Sequence, residues 1–379
     1  MSDSIVEPPP RTGANTPSMA KLGAALKPPT AASALPATTD EITTDWLSAA
    51  LGMKVHALEK TGELPGTASK VYMKAQTAEG EKRLCIKGGF NPAFIAQVPW
   101  IVMIYQREVE FFNRIAPTLD HNQIMLPKSW WAGHSATQGI VVMDDLAARG
   151  CEFGDPVRAW SPALVREGIE QLAALHAKTW GVQPAEYPWL TSDYDQAILT
   201  LLETYETVVC GADRPVIPSY LKDQARMTAA VKKHYRTRNP KFQCLLHGDA
   251  HLGNTYLEDG KPRFLDWQMI HIGSALHDVA YFIAGALTVE DRRAHEWDIV
   301  EHYLATLAKL GVPGTLKISD EDLRNEYRKS FLSGVGPIMC PYEMQPREWV
   351  HMMAVRYATA LDDHKVLELV ESLPEAATP

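Results

Sequence analysis

The stretch Gln243-Cys-Leu-Leu-His-Gly-Asp-Ala-His-Leu-Gly-Asn-Thr-Tyr-Leu-Glu-Asp-Gly-Lys-Pro-Arg-Phe-Leu-Asp-Trp-Gln268 decides the fold of this 379-residue chain. A short apolar run, Cys244 to Leu246, leads into a polar loop. Beyond that loop, Asp259-Gly260 separates two short β-type runs, Thr255-Tyr256-Leu257 and Arg263-Phe264-Leu265. Asp-Gly is the two-residue signal of a tight hairpin. Folding the chain there makes Leu257 and Pro262 approximate neighbours and brings Asn254 and Asp266 together at the open end.

An amide and a carboxylate that converge in this way form a protein half-shell for Mg²⁺, which takes one or two carboxylates and completes its shell with water and phosphate oxygens. Asn254 and Asp266 are the expected metal ligands, with ATP supplying the rest. Asp249, in the loop five positions before Asn254, is expected to accept the proton of an attacking hydroxyl and to orient it towards the γ-phosphate. His247 belongs to the same catalytic loop, as its anchor more than as a proton carrier. Two other readings compete. One is a polar loop in which His247 and Asp249 satisfy local backbone groups. The other is a metal-dependent hydrolase, since His247, Asp249 and His251 alternate and would point the same way on a strand. Gly248 and Gly253 argue for a loop instead, and no further His/Asp cluster supplies the remaining ligands.

Upstream of this segment, to about residue 150, the pattern is strand-like, with Val71-Tyr72-Met73, Leu84-Cys85-Ile86-Lys87 and Gly139-Ile140-Val141-Val142-Met143. One helix interrupts, from about Val102 to Ile115, with Val109, Phe112 and Ile115 at helical spacing. A shorter helix runs through Trp46 and Leu51, capped near Thr39-Asp40 and stopped by Gly52. After Gly150 long helices take over. The clearest begins at Ser161-Pro162 and buries Val165, Ile169, Leu172 and Leu175 or His176. The outline is α+β: a Pro/Ala/Thr-rich disordered tail over 1–39, a small strand-rich lobe over 40–143, and a larger, mainly helical lobe over 144–379.

Composition narrows the function. The 46 acidic and 37 basic side chains give a formal charge of -9 and leave no basic stripe to track a phosphate backbone, which excludes nucleic acid as the expected partner. The five cysteines contain no C-x-x-C pair, so neither a disulfide framework nor a zinc knuckle is indicated. No apolar run approaches a membrane span and the N-terminus lacks a signal-peptide pattern, so a cytoplasmic protein without a membrane partner is expected. The oligomeric state is not encoded in any visible repeat or seam.

The order H-G-D, four residues, N, then D-W about a dozen residues later resembles the aminoglycoside phosphotransferase and choline kinase superfamily. The Met143-Asp144-Asp145-Leu146 segment, the Glu108-Val109-Glu110-Phe111-Phe112 helix, Asp266-Trp267-Gln268 and the His302-Tyr303 region look closest to its ecdysteroid-kinase-like branch and bacterial relatives. The resemblance implies a bilobal protein-kinase-like fold, with an antiparallel sheet and one helix in the small lobe, and an ATP-dependent transfer to a small-molecule hydroxyl. Asp249 then matches the base, and Asn254 and Asp266 the metal ligands. Lys87, ending its apolar strand, would bind ATP phosphates while Glu108 holds it in place, with Glu110 the rival on the same helix. The turn Gly62 to Ser69 would cover the phosphates through Thr67, Ala68 and Ser69, and Asp144, Asp145 and Leu146 would form the hinge at which adenine pairs with backbone groups. His176 is read as structural and Asp278 as a brace of the catalytic loop. The remaining alternative is a catalytically silent nucleotide-binding sensor, against which the joint presence of Lys87, Glu108, Asp249, Asn254 and Asp266 argues. The acceptor stays open: Glu290 and Asp291 suit a cation, whereas Trp267, Tyr281, Phe282 and Trp297 suit an apolar molecule.

Overall fold

The computed structural model describes residues 34–190 and 193–374, so most of the tail expected over 1–39 lies outside the described residues. The described chain forms two compact units, a sheet unit of 34–152 with Leu265–Ile270 and a helical unit of 153–264 with 271–374.

In the sheet unit, α1 (Thr44–Leu51) precedes three strands, β1 (Val55–Leu64), β2 (Ser69–Thr77) and β3 (Gly80–Gly88). The helix α2 (Val102–Glu110) then leads to β4 (Ser129–His134) and β5 (Gly139–Asp144). All neighbours are antiparallel, in the order β1-β2-β3-β5-β4. Side chains alternate along a strand, so Leu84 and Ile86 enter a core with Val71, Met73, Ile140 and Val142, while Cys85 and Lys87 take the opposite face. Trp46 and Leu47 of α1 close that core. The cap of α1 is Thr43, whose hydroxyl accepts the Trp46 N–H at 3.1 Å, and Gly52 ends the helix at φ 65°. Thr39-Asp40, expected as the cap, instead falls in a single 3-10 turn, Thr39–Glu41. Contacts also begin ahead of Asp40: Leu35 packs on the core, and the Pro36 carbonyl accepts Gln138 Nε2 at 2.9 Å.

The helix expected from Val102 to Ile115 divides into α2 and a π-helical turn, Phe111–Ile115, which buries Phe111 together with Phe112 and Ile115. Residues 144–152, assigned by sequence to the larger lobe, pack with the sheet unit. Asp144 still pairs with Leu84, and the Asp145 N–H donates to the Arg83 carbonyl at 3.0 Å.

The helical unit contains α3 (Pro162–Lys178), then β6 (Gln243–Leu246), β7 (Thr255–Glu258), β8 (Lys261–Phe264) and β9 (His271–Ser274). It continues with α4 (Ala275–Ala286), α5 (Val289–Lys309), α6 (Glu321–Ser330) and α7 (Arg347–Asp363). Ser161 caps α3, and Val165, Ile169, Leu172, Leu175 and His176 are buried along it. Every residue of α4 is buried, the mark of a core helix, and α3, α5, α6 and α7 pack against it. β7 and β8 form the hairpin read from Asp259-Gly260: both turn residues are left-handed, at φ 52° and 73°, and Leu257 pairs with Pro262. No helix among the described residues is long and apolar enough to cross a membrane. No disulfide joins the five cysteines, all of which are among the described residues.

One close approach fixes α2 on the sheet. A Cβ at Gly139 would lie 2.7 Å from the backbone carbon and oxygen of Tyr105, and backbone cannot rotate away as a side chain can. Gly139→Ala is expected to cost about 1–3 kcal/mol of stability through this overlap, read as a lower midpoint in urea or thermal unfolding.

Candidate functional site

In the helical unit, β6 pairs antiparallel with β9, His271 opposite Leu246, and delivers His247 as the first loop residue. His247 is fully buried. The backbone N–H groups of His247 and Gly248 donate to the two oxygens of Asp278 at 2.7 and 2.9 Å, with Gly248 at φ 82°. Asp278, at the start of α4, in turn bonds His176 Nε2 at 3.1 Å, and His176 Nδ1 bonds the Tyr303 hydroxyl at 2.8 Å. Burial works against a charged carboxyl here. The His176 hydrogen bond and the imidazoles of His176, His277 and His247 outweigh it and hold Asp278 well below the usual carboxylate range. A buried carboxylate thus grips the loop through backbone groups alone, which leaves the loop side chains available for other work.

Asp249 is the side chain so presented. Its Oδ2 accepts Asn254 Nδ2 at 2.9 Å and its Oδ1 accepts the Tyr281 hydroxyl at 3.0 Å. Asn254 Nδ2 also reaches the Asp249 carbonyl at 3.0 Å. The amide nitrogen of Asn254 is therefore committed to Asp249, which leaves Oδ1 as the atom with ligand character. The Asp249 N–H donates to His247 Nδ1 at 3.2 Å, so the neutral ring carries its proton on Nε2. His251 Nε2 lies 3.6 Å from Asp249 Oδ2. The hydrolase arrangement of His247, Asp249 and His251 does not assemble, because His247 turns Nδ1 to the backbone. Among the described residues no group of three or more His, Cys, Asp or Glu is arranged to hold a metal ion.

The sheet unit brings together Lys87, Glu108 and Asp266. Lys87 is 2% exposed, and its Nζ lies 2.8 Å from Glu108 and 2.8 Å from Asp266 Oδ1. Burial opposes charge on this ammonium, but Asp266 and Glu108 outweigh it and raise the Lys87 pKa above its ordinary value. Glu108 also accepts the Trp267 N–H at 3.2 Å. Asp266 itself sits at φ 67°, ψ 72°, a left-handed conformation that costs a non-glycine residue free energy and that clusters at functional sites. Glu110 turns away, to His134 at 2.8 Å and to Arg114.

The remaining expected residues are placed less uniformly. Gly62 to Leu64 belong to β1, so the phosphate-loop turn is confined to residues 65–68. Ser69 pairs with Gly88, next to Lys87, and Ala68 packs on Ile101, Ile104 and Tyr105. Thr67 is exposed, its carbonyl accepting the Tyr105 hydroxyl. In the expected hinge, Asp144 binds Trp130 Nε1 at 2.6 Å and Arg149 at 3.0 Å. Asp145 caps the turn at Ala147 and Ala148, and the Leu146 carbonyl accepts the Cys151 N–H. The Asp145 N–H and the Leu146 carbonyl are thus engaged inside the unit.

Two residues here escaped the sequence reading. Tyr281 lies three positions beyond Asp278 on α4, and that spacing puts both on one helix face. Phe111 stacks on Trp267 with centroids 4.1 Å apart and planes 5° off parallel, a contact that the π-helical turn makes reachable.

The sequence matches the Ecdysteroid kinase-like family over residues 67–311. No curated protein gives a significant match. Among solved structures, the chain is similar to amicoumacin kinase hAmiN in complex with AMP-PNP, Ca²⁺ and Ami, at 13% identity, covering 89% of this chain and 96% of that one with a TM-score of 0.53. It is also similar to choline kinase LicA from Streptococcus pneumoniae, at 14% identity, covering 86% and 98% with a TM-score of 0.47. The first likeness shows a shared α+β kinase-like fold.

Because Asp278 is held below its ordinary value, its contribution to stability is complete above the unfolded pKa and fades as pH falls below about 4. Asp278→Asn is expected to destabilise at neutral pH by about 3–5 kcal/mol, the usual cost of breaking one side of a buried charged network. Urea melts from pH 7 downwards are expected to show the gap between wild type and variant narrowing below that point.

Proposed function

This chain belongs to the ecdysteroid kinase-like family, and from that premise we propose that it is a small-molecule kinase that transfers the γ-phosphoryl group of ATP to a hydroxyl. The observation that carries this reading is the buried Lys87 held by both Glu108 and Asp266. A lysine fixed in this way supplies a positive charge for phosphate without the entropy of a free side chain. Asp266 is the one carboxylate beside it with an exposed edge, 18% accessible against 3% for Glu108.

Asp249 is the proposed base. Its two oxygens are aimed by Asn254 and Tyr281, so the carboxylate meets the acceptor hydroxyl in a set direction. The acceptor oxygen forms its bond to the γ-phosphorus, the bond from that phosphorus to the ADP oxygen breaks, and the hydroxyl proton passes to Asp249. Asn254, through Oδ1, and Asp266 would hold Mg²⁺, whose charge would offset that of the phosphates. One carboxylate and one amide suit a metal that takes most of its shell from phosphate and water. His247 positions Asp249 through the backbone bond to Nδ1 and takes no part in proton transfer. Catalysis of this kind is mostly positioning and electrostatics.

The test is Mg²⁺-dependent ADP release over a panel of hydroxylated metabolites and antibiotics. With an acceptor in hand, Asp249→Asn is expected to lose roughly 10²–10⁴-fold in rate while ATP binding, followed by thermal shift, is retained. Near-normal turnover by the variant would remove Asp249 from the base role. ATP binding by the wild type with no turnover on any acceptor would count for a sensor.

A further inference from the structure

A cavity of about 740 Å³ opens in the helical unit, among α5, α6 and the end of α7. It lies far from the catalytic loop. Gly253 of that loop faces Trp349 near the start of α7, whereas the cavity borders Asp363 and His364 at its end, about 20 Å further along at 1.5 Å per residue.

Five cationic side chains line the cavity, Arg292, Arg293, Arg324, Arg328 and Lys365, against three carboxylates, Glu296, Glu321 and Asp363. In a chain of net charge -9 this is a local reversal of sign. The inner carboxylates are already taken. Glu296 pairs with Arg292 at 3.0 Å and with His364 at 3.0 Å, and Asp363 pairs with Arg292 and, through both its oxygens, with Arg293 at 2.8 and 2.9 Å. Arg324 and Arg328 are left without an ion pair among the described residues. They stand one turn apart on α6, so two like charges border one cavity, an arrangement that destabilises a helix unless an anion comes between them.

Their surroundings are those of a ligand site. The Arg324 guanidinium lies over the Trp297 ring, 4.4 Å from its centroid, and Arg328 is steadied by two bonds to the His364 carbonyl at 3.0 and 2.6 Å. Burial and the Arg324 charge both lower the Arg328 pKa, as expected of a cation short of a counter-charge. Arg292 is 1% exposed and its Nε is buried without a hydrogen-bond partner.

We propose that this cavity is a binding site for a phosphate monoester, with the phosphate between Arg324 and Arg328 and the organic body against Trp297. Two guanidinium forks side by side on α6 match the three outer oxygens of a phosphate ester better than the two of a carboxylate. Trp297 lines the same cavity and gives an apolar body a partner.

The probe is phenyl phosphate, titrated calorimetrically into the full-length protein at constant ionic strength, with wild type, Arg324→Gln and Arg328→Gln compared. Arg324 is solvent-exposed, so its variant is expected to fold, and unliganded thermal unfolding verifies this. The expected result is saturable binding to wild type, weakened about tenfold or more in each variant, the usual effect of losing a hydrogen bond to a charged group. No saturable binding to wild type would overturn the proposal. Binding of equal strength in Arg324→Gln would do the same, because the ester would then sit elsewhere.

Discussion

One ammonium buried between two carboxylates governs the sheet unit. Taking an ion out of water costs several kcal/mol, and an isolated charge in such a place neutralises instead of persisting. Lys87 persists as a cation because Glu108 and Asp266 both reach it at 2.8 Å. The bonds also work in reverse. Glu108 fixes α2 on β3, and Asp266 ties the segment Leu265–Ile270 to the same unit, although more than a hundred residues of the helical unit intervene in sequence. The Trp267 N–H on Glu108 and the Trp267 ring on Phe111 add a polar and an apolar tie to one segment.

The helical unit solves a similar problem with the opposite sign. Asp278 is a fully buried carboxylate, and its counterparts are two backbone N–H groups and an imidazole. Main-chain donors do not depend on side-chain identity, so the loop is held at His247 and Gly248 whatever residues follow. That freedom is used at Asp249, whose carboxylate is aimed by Asn254 and Tyr281 and kept partly accessible.

Legibility in the sequence followed the range of the interactions. The β7–β8 hairpin was readable to the residue because Asp259-Gly260 carries its own left-handed geometry. The buried face of α3 was readable because a helix repeats its pattern over several turns. β1 was not: it lies at a sheet edge with mostly exposed side chains, so burial imprints no alternation on it. β4, at the other edge, is short and equally unpatterned. Near residue 144, strand pairing carries β5 and the following turn back onto β3, a non-local effect that leaves no mark in the local pattern. At the site, Lys87 with Glu108 could be paired from apolar spacing and family resemblance together, and the structure puts them in contact. The aim of Tyr281 at Asp249 could not be read, since it depends on where a buried helix rests against a loop.

The stacked pair of Phe111 and Trp267 sets which mutations a lineage could accept after Asp266. Glu108 holds that position through a backbone N–H, a group that every residue except proline carries, so the hydrogen bond places almost no restriction on the side chain. The ring of Phe111, stacked parallel to within 5°, places a strong one. Another flat ring at residue 267 would therefore keep both the backbone hydrogen bond and the stack, and would leave the neighbouring carboxylate undisturbed.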